Sequence, residues 1–152
     1  MRRETFERYI ETVHKLEEEG GRARTRDIAE VLEVKEASVT EMLWKLKRKG
    51  LVEYEPYRGA FLTDKGRTIA KRLMRRHRTL AEFLKLIGVD EKTADEDACK
   101  IEHVVDSKTV KKLRKFVEFA KGGPGKPKWL EHYRHFLKTG KHPRCERREG
   151  SK

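Results

Sequence analysis

Residues 95–106, DEDACKIEHVVD, set a thiol, a carboxylate and an imidazole within one helical turn: Cys99, Glu102 and His103. In a helix, offsets of three and four residues bring all three side chains onto one face. Sulfur, oxygen and nitrogen donors gathered there amount to half of a transition-metal site. The same residues also suit a solvated acidic helix with one buried cysteine, so a metal site needs partners from elsewhere in the chain. Glu11, near the start, and His77, far downstream, are of the right types. A second group, His132, His135, His142 and Cys145, has donors at spacings that would hold a structural zinc. Scattered histidines in a basic tail are the plainer explanation of that group.

These residues must be positioned by helices. Residues 4–19 repeat apolar side chains at Phe6, Ile10, Val13 and Leu16, a helical stripe that Gly20 and Gly21 end. Thr25 is placed to cap a short helix carrying Ile28, Ala29 and Leu32. After a brief turn, KEASVTEMLWKLKRKG gives a third helix with Val39, Met42, Leu43 and Leu46 inward, closed by Gly50. LVEYEPYRGAFLT then reads as two short strands around a turn at 56–59.

Helix, short helix, turn, helix and hairpin is the order of a winged helix-turn-helix, whose second inner helix enters the DNA major groove. An ordinary helical domain with a hairpin has the same outline. The basic residues favour DNA, because Arg22, Arg24, Arg26, Lys35, Lys45, Lys47, Arg48 and Arg58 fall where phosphates would lie. Base edges would be read from the start of the third helix by Lys35, Ala37, Ser38, Thr40 and Glu41. Trp44, on the same helix, is expected to pack beside the wing.

A long helix is expected over 64–87, then helices over 91–105 and 107–120, the last capped by Ser107. KGGPGKPK, 121–128, is a linker by composition, followed by a short helix over 129–138 and a polar tail. The expected fold is mainly α: a DNA-binding unit over 1–70, a helical unit over 71–140 and a tail over 141–152. The apolar faces of 80–87 and 101–119 are the expected surface between two copies.

Of the 152 residues 36% are hydrophobic and 42% charged, so the core must be lean and built from amphipathic helices. The formal net charge of +12 points to a polyanionic partner, most often nucleic acid. No apolar run approaches membrane-spanning length and no leader is apparent, so the expected location is the cytoplasm. Two cysteines make no disulfide framework. A small metalloenzyme using Glu11 or Glu102 as a base is the rival class, but no oxyanion motif or substrate-pocket signal supports an enzyme. RNA binding would call for an aromatic stacking platform that the composition lacks.

The strings ERYIETVHKLEEEG, DIAEVLEVKEASVTEML, KLKRKGLV, YRGAFLTDKG, RLMRRH and DEDACKIEHV occur in order between residue 7 and residue 104. In them the chain resembles the diphtheria-toxin-repressor / MntR family of metal-dependent transcription repressors, over residues 4 to about 120. The resemblance implies a homodimer on a palindromic, double-stranded operator, with metal ligands His77, Glu102 and His103 in a cleft between the DNA-binding and dimerisation regions. Cys99 stands where the iron-responsive branch has Cys and the manganese branch has Glu, while Glu11 matches a bridging ligand of the manganese branch. A thiolate among the ligands puts Fe(II) first, with Mn(II) and Zn(II) behind it.

The family supplies a ligand at position 8, and this chain has Arg8, whose guanidinium has no lone pair to give. Three outcomes stay open: a site reduced to one ion, a built-in cation that makes the regulator metal-independent, or an arginine turned outward. The extra SH3-like domain of longer members is not expected here. Asp95 stands where those proteins use a His for their second site, and Ala81 lies one turn beyond His77.

Overall fold

The computed structural model describes residues 3–123 and 127–143. Among the described residues the elements run α1 (Arg3–Gly20), α2 (Thr25–Leu32), α3 (Glu36–Arg48), β1 (Val52–Glu55), β2 (Gly59–Leu62), α4 (Asp64–Leu86), α5 (Glu91–Ile101), α6 (Ser107–Gly122) and α7 (Lys128–Thr139). The order is the expected winged helix-turn-helix followed by helices.

One apolar core holds the first five elements together. Its fully buried members include Val13 from α1, Ile28 from α2, Val39, Leu43 and Leu46 from α3, and Val52 from β1. Their spacing follows directly from amphipathic periodicity, and the small Ala29 lets α2 and α3 cross closely. Glu33, in the left-handed region at φ 55°, closes α2, and the Val34 N–H returns to the Ala29 carbonyl at 3.0 Å.

The hairpin is antiparallel, pairing Val52 with Leu62 and Glu55 with Gly59. Ala23 adds a short third rung, exchanging both backbone hydrogen bonds with Ala60 at 2.8 Å. Gly59 is required there: it sits at φ 88°, and a Cβ would come within 2.7 Å of the Ala23 carbonyl oxygen. The rung also accounts for a misplaced cap. Arg24, held extended by the rung, is the N-cap of α2, so Thr25 is already helical.

α4 belongs to both halves of the molecule. Its start is capped by Thr63, whose Oγ1 accepts from the Gly66 N–H at 3.1 Å. A Cβ on Gly66 would lie 2.1 Å from the Leu51 carbonyl oxygen, so only glycine lets the helix seat against the DNA-binding unit. Farther along, Leu80 and Ala81 pack on Ala98 of α5 and on Leu113 of α6, a much smaller core.

Two boundaries differ from the sequence reading. α5 ends at Ile101 rather than 105, with Glu102 as C-cap in right-handed helical geometry. Asp106, not Ser107, caps α6; its carboxylate accepts from the Lys108 N–H at 2.7 Å, and a negative charge suits a helix start. α6 continues into the expected linker as far as Gly122, and residues 124–126 and 144–152 lie outside the described residues.

Candidate metal centre and DNA-binding face

α1, α4 and α5 enclose a cleft of about 640 Å³ lined by Glu11, His77, Asp95, Cys99 and Glu102 among others. Glu102 is the centre of its polar network. Glu102 keeps helical geometry and continues the buried face of Ala94 and Ala98, and the side chains of Glu102 and His103 are 2% and 3% exposed. One Glu102 oxygen meets His77 Nδ1 at 2.8 Å, and the other lies 3.4 Å from His103 Nε2.

α1 supplies the opposite wall. Glu11 Oε2 is 3.5 Å from His103 Nε2, and Glu7 Oε2 accepts from His103 Nδ1 at 3.1 Å. An imidazole donating Nδ1–H to Glu7 presents its Nε2 lone pair between Glu11 and Glu102, the orientation a metal-binding histidine needs. Donor atoms of Glu11, Glu102 and His103 all lie within 4.8 Å of one another, the one such group among the described residues.

His77 joins the network from α4 with both ring nitrogens engaged, Nδ1 on Glu102 and Nε2 on Asp95, each at 2.8 Å. Those hydrogen bonds, with Glu102 the stronger influence, raise its pKa to about 9 against the opposing effect of burial. Burial, reinforced by the Glu102 charge, raises the Glu11 carboxyl to about 8. At neutral pH the cleft therefore retains protons on both groups, and an ion entering it must displace them.

Cys99 stands apart from the other sequence-selected donors. It lines the cleft but is exposed at its rim, and its thiol is raised by burial of the sulfur and by the Glu102 and Glu11 charges. Arg8 is exposed and forms no ion pair among the described residues, so it does not lie on Glu11; its charge is felt at Cys99. Glu7 and Asp95 were not selected as site residues from the sequence. The available signal was their i,i+4 spacing to Glu11 and Cys99, which puts each on the face of a candidate ligand.

Among the described residues, His132, His135 and His142 form no metal-binding group. His132 is half-buried, His135 exposed, and His142 lies against the Phe136 ring at 4.8 Å; Cys145 lies outside the described residues.

On the far side of the first core, α2, α3 and the wing form a groove of about 380 Å³ lined by Arg24, Thr25, Arg26, Glu36, Thr40 and Tyr57. Lys35, Ala37, Ser38 and Glu41 are exposed along the start of α3. Glu41 pairs with Lys45 one turn on, which lowers its pKa. Arg58 projects from the wing tip, 3.3 Å from Glu55. Lys47 is turned elsewhere: its Nζ donates to the Tyr54 carbonyl at 2.9 Å and sits over Trp44. Trp44 meets Tyr54 edge-on at 5.3 Å, beside the wing as expected. α2 and α3 begin without a side-chain cap, as does α7, whereas α4, α5 and α6 are each capped. α2 and α3 therefore offer free N–H groups at this face, where phosphates bind well.

Known proteins share this arrangement. Residues 1–60 match the family described as "Iron dependent repressor, N-terminal DNA binding domain", and residues 63–130 match "Iron dependent repressor, metal binding and dimerisation domain". The HTH-type transcriptional regulator MntR of Bacillus pumilus is 44% identical over 115 residues, 76% of this chain and 80% of that protein. The solved structure of the manganese regulator SloR superposes with a TM-score of 0.64 at 32% identity, over 76% of this chain and 54% of that one. IdeR of T. acidophilum gives a TM-score of 0.64 at 30% identity, over 72% of this chain and 52% of its own. With a winged helix-turn-helix, a cleft of carboxylates and imidazoles behind it, and both domains matched in order, the chain belongs to the iron-dependent repressor family of metal-dependent transcriptional repressors.

Proposed function

We propose that Glu11, Glu102 and His103, joined by His77, hold a divalent metal ion that links the DNA-binding unit to the helical domain and thereby sets operator affinity. The observation that carries this is the grouping of the three donors within 4.8 Å, one from α1 and two from the turn after α5. α1 is part of the DNA-binding core, so drawing Glu11 towards Glu102 and His103 fixes how that core sits on the rest of the chain. A bound divalent cation supplies the positive charge that balances these converging carboxylates. Binding there would displace the protons held by Glu11 and His77.

Oxygen and nitrogen donors dominate, with Cys99 at the rim, so Mn(II) joins Fe(II) as a fitting ion; Zn(II) gains only if the thiolate is recruited. On the DNA side, Lys35, Ala37, Ser38, Thr40 and Glu41 read bases, while Arg24, Arg26, Lys45, Arg58 and the open N-termini of α2 and α3 take phosphates. A symmetric dimer, formed through apolar surface around Phe116, Phe119 and Val104, places two recognition helices about 34 Å apart on a palindromic operator in the cytoplasm. The metal-independent reading is not favoured, since Arg8 does not occupy the place of an ion beside Glu11.

The test begins with a duplex selected from a random library by the metal-loaded protein. Its affinity is then measured in chelator, Mn(II), Fe(II) and Zn(II). Metal should tighten binding by about 5- to 150-fold, the usual range of such coupling. Equal affinity in chelator and in every metal would overturn the switch while leaving DNA binding intact.

A further inference from the structure

A second charged recess lies on the face of α4 turned away from the metal cleft. Arg72, Arg75, Arg76 and Thr79 recur at helical spacing, so they form one stripe, while His77 points to the opposite side. α6 faces that stripe with Ser107, Lys111 and Arg114, and the two helices enclose a groove of about 190 Å³.

Arg72, Arg75, Arg76 and Lys111 in this groove have no carboxylate partner among the described residues. Among the described residues no carboxylate lines it; the acid reaching a lining cation is Glu118, 3.8 Å from Arg114 Nε on the exposed side of α6. Asp106, close in sequence, is engaged in capping α6. The Nε of Arg76 is buried and meets no hydrogen-bond partner. A buried guanidinium donor without an acceptor is rare in native proteins, and its usual complement is an anion or ordered water. Four solvated arginines on an open helix would need no explanation. Cations converging from two helices on one half-open recess, one with a buried orphan donor, do need one.

We propose that the α4–α6 groove is a binding site for a phosphate-type oxyanion carrying two or more charges. Arg72, Arg75, Arg76, Lys111 and Arg114 line the recess with positive charge, and Ser107 at the start of α6 adds a hydroxyl. Arginine forks match the planar pairs of oxygens on such a group, and a recess of about 190 Å³ has room for a phosphate or pyrophosphate. The oxyanion is a free one or a phosphate of DNA beyond the operator core, and the two sources separate experimentally.

The experiment uses the full-length protein in chloride buffer with chelator, titrated calorimetrically with pyrophosphate. Saturable binding at one site per subunit is expected, weakened about tenfold or more by Arg76→Met and separately by Lys111→Met. Circular dichroism and the anion-free melting temperature verify that both variants fold. In parallel, metal-loaded protein is bound to a duplex covering the operator alone and to one extended at both ends. Pyrophosphate binding lost in the variants, with DNA affinities unchanged, supports the free anion. A preference for the extended duplex that the variants lose, with a salt slope smaller by roughly one per contact, supports the DNA phosphate. Absence of both effects overturns the proposal. So does a shift in subunit association alone, measured by analytical ultracentrifugation, because it would make the groove a protein-facing surface.

Discussion

The DNA-binding unit and the metal cleft are held together by different forces, although α1 and α4 run through both. In the first, Val13, Ile28, Val39, Leu43 and Leu46 are fully buried in a continuous apolar cluster. In the second, buried Glu7 and Glu102 both contact the His103 side chain, beside a small core of Leu80, Ala81 and Ala98. Apolar packing has no dependence on protons or ions and makes a rigid body. Buried carboxylates around imidazoles are favourable only while protons or cations are present to balance them. One region is thus built to keep its shape, and the other to respond.

The most damaging change should be Leu43→Ala, which opens a cavity at the centre of the rigid region. A loss of about 2–5 kcal/mol in unfolding free energy is expected by chemical denaturation. If the loss were under about 1 kcal/mol, the distinction between a tightly packed and a loosely packed half would fail.

Glu102→Ala should leave that half intact and abolish the response. Metal affinity is expected to fall on the order of 100-fold or more by titration, with weak DNA binding in chelator unchanged. Retained metal-dependent operator binding would count against Glu102 as the common ligand. Glu7→Ala acts one step back, by freeing His103 to rotate, and should cost about 10- to 100-fold in metal affinity while the ligand atoms remain. An effect as large as that of Glu102→Ala would promote Glu7 to a direct ligand.

The smallest effect is on pH. Glu11 and His77 both have folded-state pKa values above their unfolded ones, at about 8 and about 9. Each binds a proton more readily folded than unfolded, so its stabilising contribution is present at low pH and is lost as pH rises through the folded value. In chelator the melting temperature should therefore decline between pH 4.5, the reference value of Glu11, and about 9, the folded value of His77. With metal bound the decline should vanish, since the ion replaces both protons. A flat profile in chelator would mean that neither proton is held.

The two halves were also unequally legible from sequence. Val39, Met42, Leu43 and Leu46 repeat at helical spacing and all are buried, because amphipathic period alone settles their direction. Caps were misread where a neighbour outside the local string decides: the Ala23–Ala60 rung makes Arg24 the cap instead of Thr25, and Asp106 outcompetes Ser107. Spacing put Cys99, Glu102 and His103 on one face; Glu102 continues the buried Ala94–Ala98 stripe, while Cys99, at the edge of that face, stays at the rim. Glu7 escaped because its partner His103 is 96 residues away, a separation that no local pattern reports.

α4 carries a mechanical implication. Its first turn is fixed against Leu51 through Gly66, and His77 lies well along its length. Twenty-three residues make a rod about 34 Å long. Tilting such a rod by about 5° at one end displaces the other by about 3 Å, close to the reach of a single hydrogen bond. In a twofold dimer the displacement is mirrored, so the separation of the two reading heads changes by up to twice as much. If a metal draws the carboxylates together as proposed, Å-scale tightening there would be geared up to the scale on which a protein gains or loses its register on DNA.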